Sequence, residues 1–188
     1  MILAYNLFSM IYVVGLGNPG EEYTKSRHNT GKMAVECFEA KSSKSEFRNK
    51  IKIIESGEFM NHSGKAVVKY IKSKKTAKDL IVVYDDMDLP LGTIKISYDK
   101  SSGGHKGLES IIKSIKTKEF TRVRIGVSPA TPSGKIKKPQ GEKEVIDFIL
   151  SNFTPKQNET LKKTFKLVSE AIETIVEEGR EIAMNRFN

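Results

Sequence analysis

Residues 80–84 read LIVVY, a continuous apolar run that ends in the acidic stretch Asp85-Asp86-Met87-Asp88. A strand with one face in water alternates apolar and polar residues. A continuous run is instead typical of a strand covered on both faces, as in a parallel sheet with helices on either side. We therefore predict a doubly covered strand here, followed by an acidic turn.

The same periodicities predict further elements on both sides of this run. Strands are predicted over residues 11–17, 47–55, 93–98 and 120–127, and helices after residue 29, over residues 63–74 and 107–116, and from Pro155 to about Gly179. Residues 128–143 are predicted to form one long loop. Strands that alternate with helices predict an α/β fold, a single-domain three-layer α/β/α sandwich around a mixed, largely parallel twisted sheet.

Length, charge and cysteine content narrow the class of protein. The chain has 188 residues, with 32 basic and 23 acidic side chains and a formal net charge of +9. This length favours one domain, and the composition excludes collagen-like and largely disordered chains. The single cysteine, Cys37, has no partner within the chain, which favours a reducing, cytoplasmic compartment. The positive charge favours a polyanionic partner, such as a nucleic acid or a phosphorylated substrate.

The first twenty residues carry no charge and are mostly apolar, which superficially suggests a signal or membrane segment. No basic residue precedes the apolar run, and Asn6, Ser9 and Asn18 interrupt it, so we reject that interpretation and predict no membrane association. We predict an N-terminal extension over residues 1–9 and a catalytic domain over residues 10–188.

Sites in such sheets lie beyond the carboxyl ends of the strands, where this sequence places Asn18, His28 and Asp85. A histidine with an ordinary pKa near 6.5 is a natural general base, and a carboxylate on its second ring nitrogen orients it. A lone loop histidine is more often merely solvated or hydrogen-bonded. Asp85 is the best placed partner for His28.

Three other interpretations stay open at this stage. The sequence GLGNPG at residues 15–20 fits the G-x-G-x-x-G pattern of dinucleotide-binding oxidoreductases, although a polar stretch rather than a helix follows it. Asp85, Asp86 and Asp88 have the chemistry to hold Mg²⁺ with a phosphorylated substrate. The net charge alone also fits a non-catalytic RNA-binding module. No zinc spacing is present among one cysteine and three histidines.

Six sequence motifs are each only modestly specific for one protein family. Their occurrence together, in the family's order, is highly specific. They are GLGNPG at 15–20 with Tyr23, RHN at 27–29, FMNHSGKA at 59–66, DDMDLPLG at 85–92, GGHKGL at 103–108 and RVRIG at 122–126. Together they resemble bacterial peptidyl-tRNA hydrolases over residues 10–186. The resemblance implies a monomeric, cytoplasmic enzyme without metal or cofactor that cleaves the ester between a peptide and the 3′ ribose of its tRNA, so its partner is peptidyl-tRNA.

The resemblance also implies roles for individual residues. His28 matches the catalytic base, Asp85 its orienting carboxylate, and Asn18 a catalytic asparagine that lines the site. The positions implied for substrate binding are Tyr23, Met60, Asn61, His105 and Lys106. Lys95 and Arg124 match basic positions associated with the tRNA backbone.

Two positions depart from the family pattern. Lys106 stands where the family usually has an asparagine, and Ser97 stands where a second basic residue of the tRNA patch is usual. Lysine has no acceptor, so Lys106 cannot accept a hydrogen bond as a carboxamide does. It is either a solvated side chain or a cation that approaches substrate phosphate, and at the start of a helix its charge opposes the macrodipole.

Overall fold

The structure is a computed structural model that describes residues 10–42 and 49–188. The predicted N-terminal extension and the start of the strand predicted from residue 47 lie outside this range. The strands are β1 (Ile11–Gly15), β2 (Ile51–Ile54), β3 (Leu80–Pro90), β4 (Ile94–Tyr98) and β5 (Thr121–Ser128). The helices are α1 (Thr30–Ser42), α2 (Ser63–Val67), α3 (Lys74–Ala77), α4 (Lys106–Ile115), α5 (Glu142–Leu150), α6 (Pro155–Glu177) and α7 (Arg180–Phe187).

The five strands form one sheet in the order β2-β1-β3-β5-β4. β1 pairs in parallel with β2 and β3, and β3 pairs in parallel with β5. β4 pairs with β5 in the antiparallel direction. The apolar strand β3 therefore lies at the centre of a mixed, mostly parallel sheet, which confirms the predicted fold class.

Two apolar layers cover the sheet because residues of its strands point alternately to opposite faces. On one face, Val13, Ile81 and Val123 pack with α1, α6 and α7. On the other face, Val14, Val82 and Leu108 pack in the layer that contains α2 and α4. The predicted stripe of the C-terminal helix is buried, and its capping box between Thr154 and Gln157 is present.

Two predicted elements differ from the structure. The residues predicted as an acidic turn continue β3, since Asp85 and Asp86 pair with Ile125 and Gly126 before the register shifts. The helix predicted over residues 63–74 ends at Val67, and α3 begins after a capping box at Ser73. A serine that bonds the backbone in this way favours a helix start over a helix interior.

Two further helices, besides α3, were not predicted. α5 begins inside the end of the predicted long loop, directly after Gly141, and α7 follows Gly179. Both glycines have a positive φ, which favours glycine at the turn that redirects the chain. α7 has one buried residue and no apolar stripe, whereas α5 carries Val145, Phe148 and Ile149 at helical spacing, a signal that the prediction of one long loop overlooked.

The first turn of α1 lies against the backbone of the sheet. A Cβ at Gly31 would overlap the carbonyl oxygen of Val83 in β3, and a Cβ at Gly15 would lie 2.5 Å from the carbonyl oxygen of Gly31. Only glycine permits this approach, because backbone atoms on both sides cannot move aside like a flexible side chain. The approach places the residues just before α1 beside the end of β3.

We expect Gly31→Ala to lower the free energy of unfolding, because the added methyl group must push α1 away from β3. Overpacking of this kind costs about 1–3 kcal/mol, which exceeds the helix-propensity gain of about 1 kcal/mol from alanine. Chemical denaturation measures the change. The matched control is Gly57→Ala, where a Cβ meets no atom within 4 Å. Equal stability of Gly31→Ala and the native protein would contradict the packing constraint.

Candidate active site

A histidine and a carboxylate meet where β1 and β3 end. His28 lies on a 3₁₀ turn, Arg27–Asn29, immediately before α1, and Asp85 lies near the end of β3. The Nδ1 atom of His28 is 3.0 Å from both carboxylate oxygens of Asp85. Both residues are buried, with His28 7% and Asp85 4% exposed. The geometry predicted for this pair from the order of strands and loops is therefore present.

His105 is the second histidine on the same carboxylate. Its Nε2 atom is 3.1 Å from Oδ1 of Asp85, and its Nδ1 atom lies 3.4 Å from the backbone N–H of Leu108 at the start of α4. Because Nδ1 accepts from that N–H, the ring proton belongs on Nε2, which donates to Asp85. Both ring nitrogens of His105 are thus engaged within the protein, and its ring lies 4.8 Å from that of His28.

The charges of this cluster set its protonation. Burial acts to lower the pKa of His28, but the charge and hydrogen bond of Asp85 outweigh it, so the pKa is raised above its ordinary value. Burial acts to raise the pKa of Asp85, but His28 and His105 outweigh it and hold the carboxyl well below its usual range. Asp85 is therefore a carboxylate that orients His28, with the Nε2 atom of His28 left to exchange a proton.

A network of amides joins Asn18 to the same turn. The backbone N–H of Asn18 donates to Oδ1 of Asn29 at 2.8 Å, and Nδ2 of Asn29 donates back to the Asn18 carbonyl at 2.9 Å. Oδ1 of Asn18 accepts the backbone N–H of Met60 at 2.8 Å. With that oxygen occupied, the part of the Asn18 side chain left for a ligand is its amide N–H₂, which is a donor.

Gly107 brings α4 against this network. A Cβ at Gly107 would lie 2.6 Å from the Met60 sulfur and 3.2 Å from the His105 ring. Met60 is buried, whereas Asn61 is exposed on the 3₁₀ turn Met60–His62. The structure thus brings together His28, Asp85, Asn18, Met60 and His105.

An open pocket of about 870 Å³ lies beside the histidine pair. Its lining includes the loop from Lys100 to Gly104 and, from α5, the apolar residues Val145, Ile146 and Ile149. Arg122 and Arg124 of β5 line the floor. The pocket therefore combines an apolar wall with a basic floor and carries His28 and Asp85 in its lining.

Charged residues of the floor are already partly paired. Nε of Arg124 donates to Asp86 at 2.7 Å, and the Lys138 ammonium lies 2.5 Å from Asp88. Lys95 is exposed and is the register partner of Arg124, so the predicted pair of basic residues lies side by side on β4 and β5. Ser97 is buried, and its hydroxyl has no hydrogen-bond partner.

Two residues named for substrate binding lie farther from the histidine pair. Tyr23 is half-buried on the 3₁₀ turn Glu21–Tyr23 and is outside the pocket lining, as are Asn18, Met60 and Asn61. Lys106 lines the pocket edge, and its ammonium pairs with Glu109 at 3.2 Å. This i,i+3 pair offsets the unfavourable position of a cation at the first residue of α4.

Sequence reasoning missed three residues that support the site. Asn29 holds the backbone of Asn18, and Arg27 holds residues beyond α5. Arg122 is fully buried, donates to the carbonyls of Lys100 and Ser101, and packs over Phe120 at 4.7 Å. The only sequence signal for Arg27 and Asn29 is adjacency to His28, and for Arg122 it is a charged residue in an otherwise apolar strand.

The open alternatives can now be compared with the geometry. A short 3₁₀ turn follows Gly20 and α1 begins only at Thr30, so the glycine motif does not open directly into a helix as the dinucleotide-binding motif requires. Asp86 and Asp88 are each paired with a cation, which disfavours a shared Mg²⁺. Ligand atoms of His28, Asp85 and His105 lie within 4.8 Å of one another, which is compact enough for one metal ion.

Fold and site together define a class: an α/β protein with a buried histidine–carboxylate pair beside an open, basic-floored pocket. The sequence model of the family "Peptidyl-tRNA hydrolase" matches residues 12–188. The chain is 43% identical over 185 residues to the peptidyl-tRNA hydrolase of Fervidobacterium nodosum, covering 94% of each chain. It is 41% identical over 195 residues to that of Thermodesulfovibrio yellowstonii, covering 95% of this chain and 99% of the relative.

A solved structure gives the same result. The crystal structure of peptidyl-tRNA hydrolase from Acinetobacter baumannii superimposes with a TM-score of 0.76 at 25% identity, covering 95% of this chain and 94% of that one. The chain belongs to the peptidyl-tRNA hydrolase family. Within residues 10–42 and 49–188, no helix combines the length and apolar character needed to cross a bilayer.

The charge of Asp85 should control the pKa of His28. We expect Asp85→Asn to lower the His28 pKa below that of the native protein, because an amide keeps an acceptor but removes the charge that opposes burial. NMR titration of the His28 ring protons measures both values. Asp99→Asn, which changes an exposed carboxylate paired with Lys118, is the control and should leave the His28 pKa in place. An unchanged pKa in Asp85→Asn would contradict the pairing.

Proposed function

We propose that this protein hydrolyses the ester bond between the peptide and the 3′ ribose of tRNA in peptidyl-tRNA, releasing free tRNA and peptide. The observation that carries the proposal is the His28–Asp85 pair in the lining of the pocket. Membership of the peptidyl-tRNA hydrolase family supports the choice of substrate.

In the proposed reaction, Nε2 of His28 takes a proton from a water molecule as the water oxygen bonds to the ester carbonyl carbon. Asp85 holds the ring through Nδ1 and stabilises the imidazolium that forms. The bond from the carbonyl carbon to the ribose 3′ oxygen then breaks, and His28 returns its proton to that oxygen. The products are a tRNA with a free 3′ hydroxyl and a peptide with a free carboxylate.

The negative charge that develops on the carbonyl oxygen needs a donor, and we assign that role to the Asn18 amide. Its oxygen is held by the Met60 N–H, so the N–H₂ group has a fixed direction. Loss of one such donor costs about 10²–10³ in rate. Met60, Asn61, Tyr23 and Lys106 are proposed to contact substrate, while His105 acts through Asp85. We further propose a monomer that works in the cytoplasm without cofactor.

A metal-dependent hydrolase is the second candidate, because His28, Asp85 and His105 are close enough to share an ion. Ligation through Nε2 of His105 requires that atom to give up its proton. The Leu108 N–H already points at Nδ1, so the proton has no alternative place on the ring. Ligation through Nδ1 of His28 would also displace Asp85 from it. These two hydrogen bonds favour the metal-free base.

We expect His28→Ala to lower kcat by at least about 10²-fold on N-blocked aminoacyl-tRNA, since it removes the positioned base. Asp85→Asn should act in the same direction but less severely. Release of free tRNA in single-turnover reactions, with EDTA present throughout, measures the rate. His62→Ala is the control, because His62 is exposed on a neighbouring turn.

Two outcomes would contradict this proposal. If His28→Ala keeps most of the native rate, His28 is not the base. If EDTA abolishes the native activity and added Zn²⁺ restores it, the metal-dependent alternative is correct.

Lys95 and Arg124 are proposed to contact tRNA phosphates. We expect Lys95→Ala to weaken tRNA binding and to reduce the slope of log K against log[salt] by roughly 0.7–0.9, one released counterion. Cleavage of a minimal ester that lacks the tRNA body should hardly change. Lys74→Ala is the control, because Lys74 lies in α3, just before the amino end of β3, whereas Asp85 and the pocket lie toward its carboxyl end. Equal losses on both substrates would place Lys95 outside a phosphate contact.

A further inference from the structure

Arg27 precedes His28 and is 7% exposed. Its guanidinium reaches the junction between α5 and α6. One nitrogen, NH1, donates to the Ser151 carbonyl at 3.1 Å, to the Ser151 hydroxyl at 2.6 Å and to the Asn152 carbonyl at 3.0 Å. The other, NH2, donates to Oε1 of Gln157 at 3.2 Å. The turn that carries His28 is therefore tied to the chain that follows α5.

Aromatic and backbone contacts strengthen the same link. The Arg27 guanidinium lies 4.6 Å from the ring centre of Phe148 and 4.8 Å from that of Phe153. The Arg27 backbone N–H donates to the Ser151 carbonyl at 3.1 Å. Within the described residues no carboxylate forms an ion pair with Arg27. Its two terminal nitrogens donate to neutral acceptors and its face packs on aromatic rings, while Nε has no hydrogen-bond partner. A planar five-donor group suits this set, whereas a lysine ammonium does not.

Apart from Phe148, which packs partly buried against the core beside α1 and α6, α5 has few attachments beyond this junction. None of its residues is buried, although Val145, Ile146 and Ile149 line the pocket. Near its amino end, the Lys138–Asp88 pair joins the preceding loop to β3 through exposed side chains, and such pairs are worth little. The carboxyl end of α5, next to Ser151, is the end that Arg27 holds.

We propose that Arg27 is a positioning residue that sets the gap between the α5 wall and the His28–Asp85 pair. The ester must lie in this gap with its carbonyl carbon in reach of the water that His28 activates. A misplacement of about 1 Å can cost about 10²-fold in rate. Arg27 and His28 are consecutive on one turn. The hydrogen bonds from Arg27 to the residues after α5 therefore restrain movement of α5 relative to His28. The kinetic part of this inference rests on the proposed function.

The first test does not depend on activity. Arg27→Lys keeps the charge but loses the fork of donors, so we expect amide hydrogens of α5 to exchange at least tenfold faster, with those in the middle of α6 unchanged. Arg186→Lys is the matched control, since Arg186 also joins two helices but lies away from the pocket. Ser151→Ala removes one acceptor while Arg27 stays, and should give a smaller change in the same direction. Unchanged exchange in α5 for both variants would overturn the inference.

The second test is a double-mutant cycle on kcat/KM. Arg27→Lys is expected to lower kcat/KM about tenfold and Ile149→Ala a fewfold. If Arg27 acts through α5, the double variant loses about as much kcat/KM as Arg27→Lys alone, which is a fewfold less than the product of the two losses. For Arg27→Lys combined with Lys95→Ala, the loss in kcat/KM should equal the product of the two single losses.

The outcomes separate the two proposals. Multiplicative losses for Arg27 with Ile149 would show that Arg27 acts independently of the wall, and would overturn the inference. An inactive native protein with faster α5 exchange in Arg27→Lys would instead contradict the proposed function and leave the mechanical link standing.

Discussion

The backbone contact between the first turn of α1 and the strands β1 and β3 is the constraint on which the site depends. Gly31 and Gly15 allow the helix to begin on top of the sheet, with no side chain between them. Since His28 lies on the turn just before α1, this contact fixes its distance to Asp85 at the end of β3. A side chain between helix and sheet would separate base from carboxylate before it changed any other feature of the pocket.

The contact between α1 and the sheet leaves the Asp85 carboxylate buried, and hydrogen bonds from neighbouring side chains offset the cost of removing it from water. Asp85 receives ring N–H groups from two elements, the His28 turn and the start of α4 through His105. Buried polar groups of this kind stabilise the fold only when each has its partner. The two buried arginines extend the arrangement outward, with Arg27 holding the α5–α6 junction and Arg122 holding the loop that leads to His105. The hydrogen bonds that orient the His28–Asp85 pair are therefore continuous along the chain with those that hold the neighbouring loops.

The sequence was sufficient to predict the sheet and the His28–Asp85 pair, because periodicity locates strands and parallel strands end at one edge. The prediction did not include α5, although Val145, Phe148 and Ile149 recur at helical spacing, because this short helix directly follows a loop rich in proline and lysine. Nor does the sequence reveal that both nitrogens of His105 are engaged, which depends on the ring's orientation at the start of α4. Arg27 was missed for a similar reason, since its partners lie more than 120 positions away in the chain and leave no local pattern.

The net charge of +9 describes the whole chain, and the basic residues at the pocket are less available to a phosphate than this number suggests. Three of its basic side chains already have acidic partners: Arg124 with Asp86, Lys138 with Asp88, and Lys106 with Glu109. A phosphate that binds one of these cations must compete with a carboxylate, so the pair contributes less to binding than an isolated cation does. At the two departures from the family pattern, Ser97 adds no charge and Lys106 adds one that Glu109 offsets. Attraction of a polyanion to this site therefore depends on basic residues around the pocket, such as Lys95, more than on its floor.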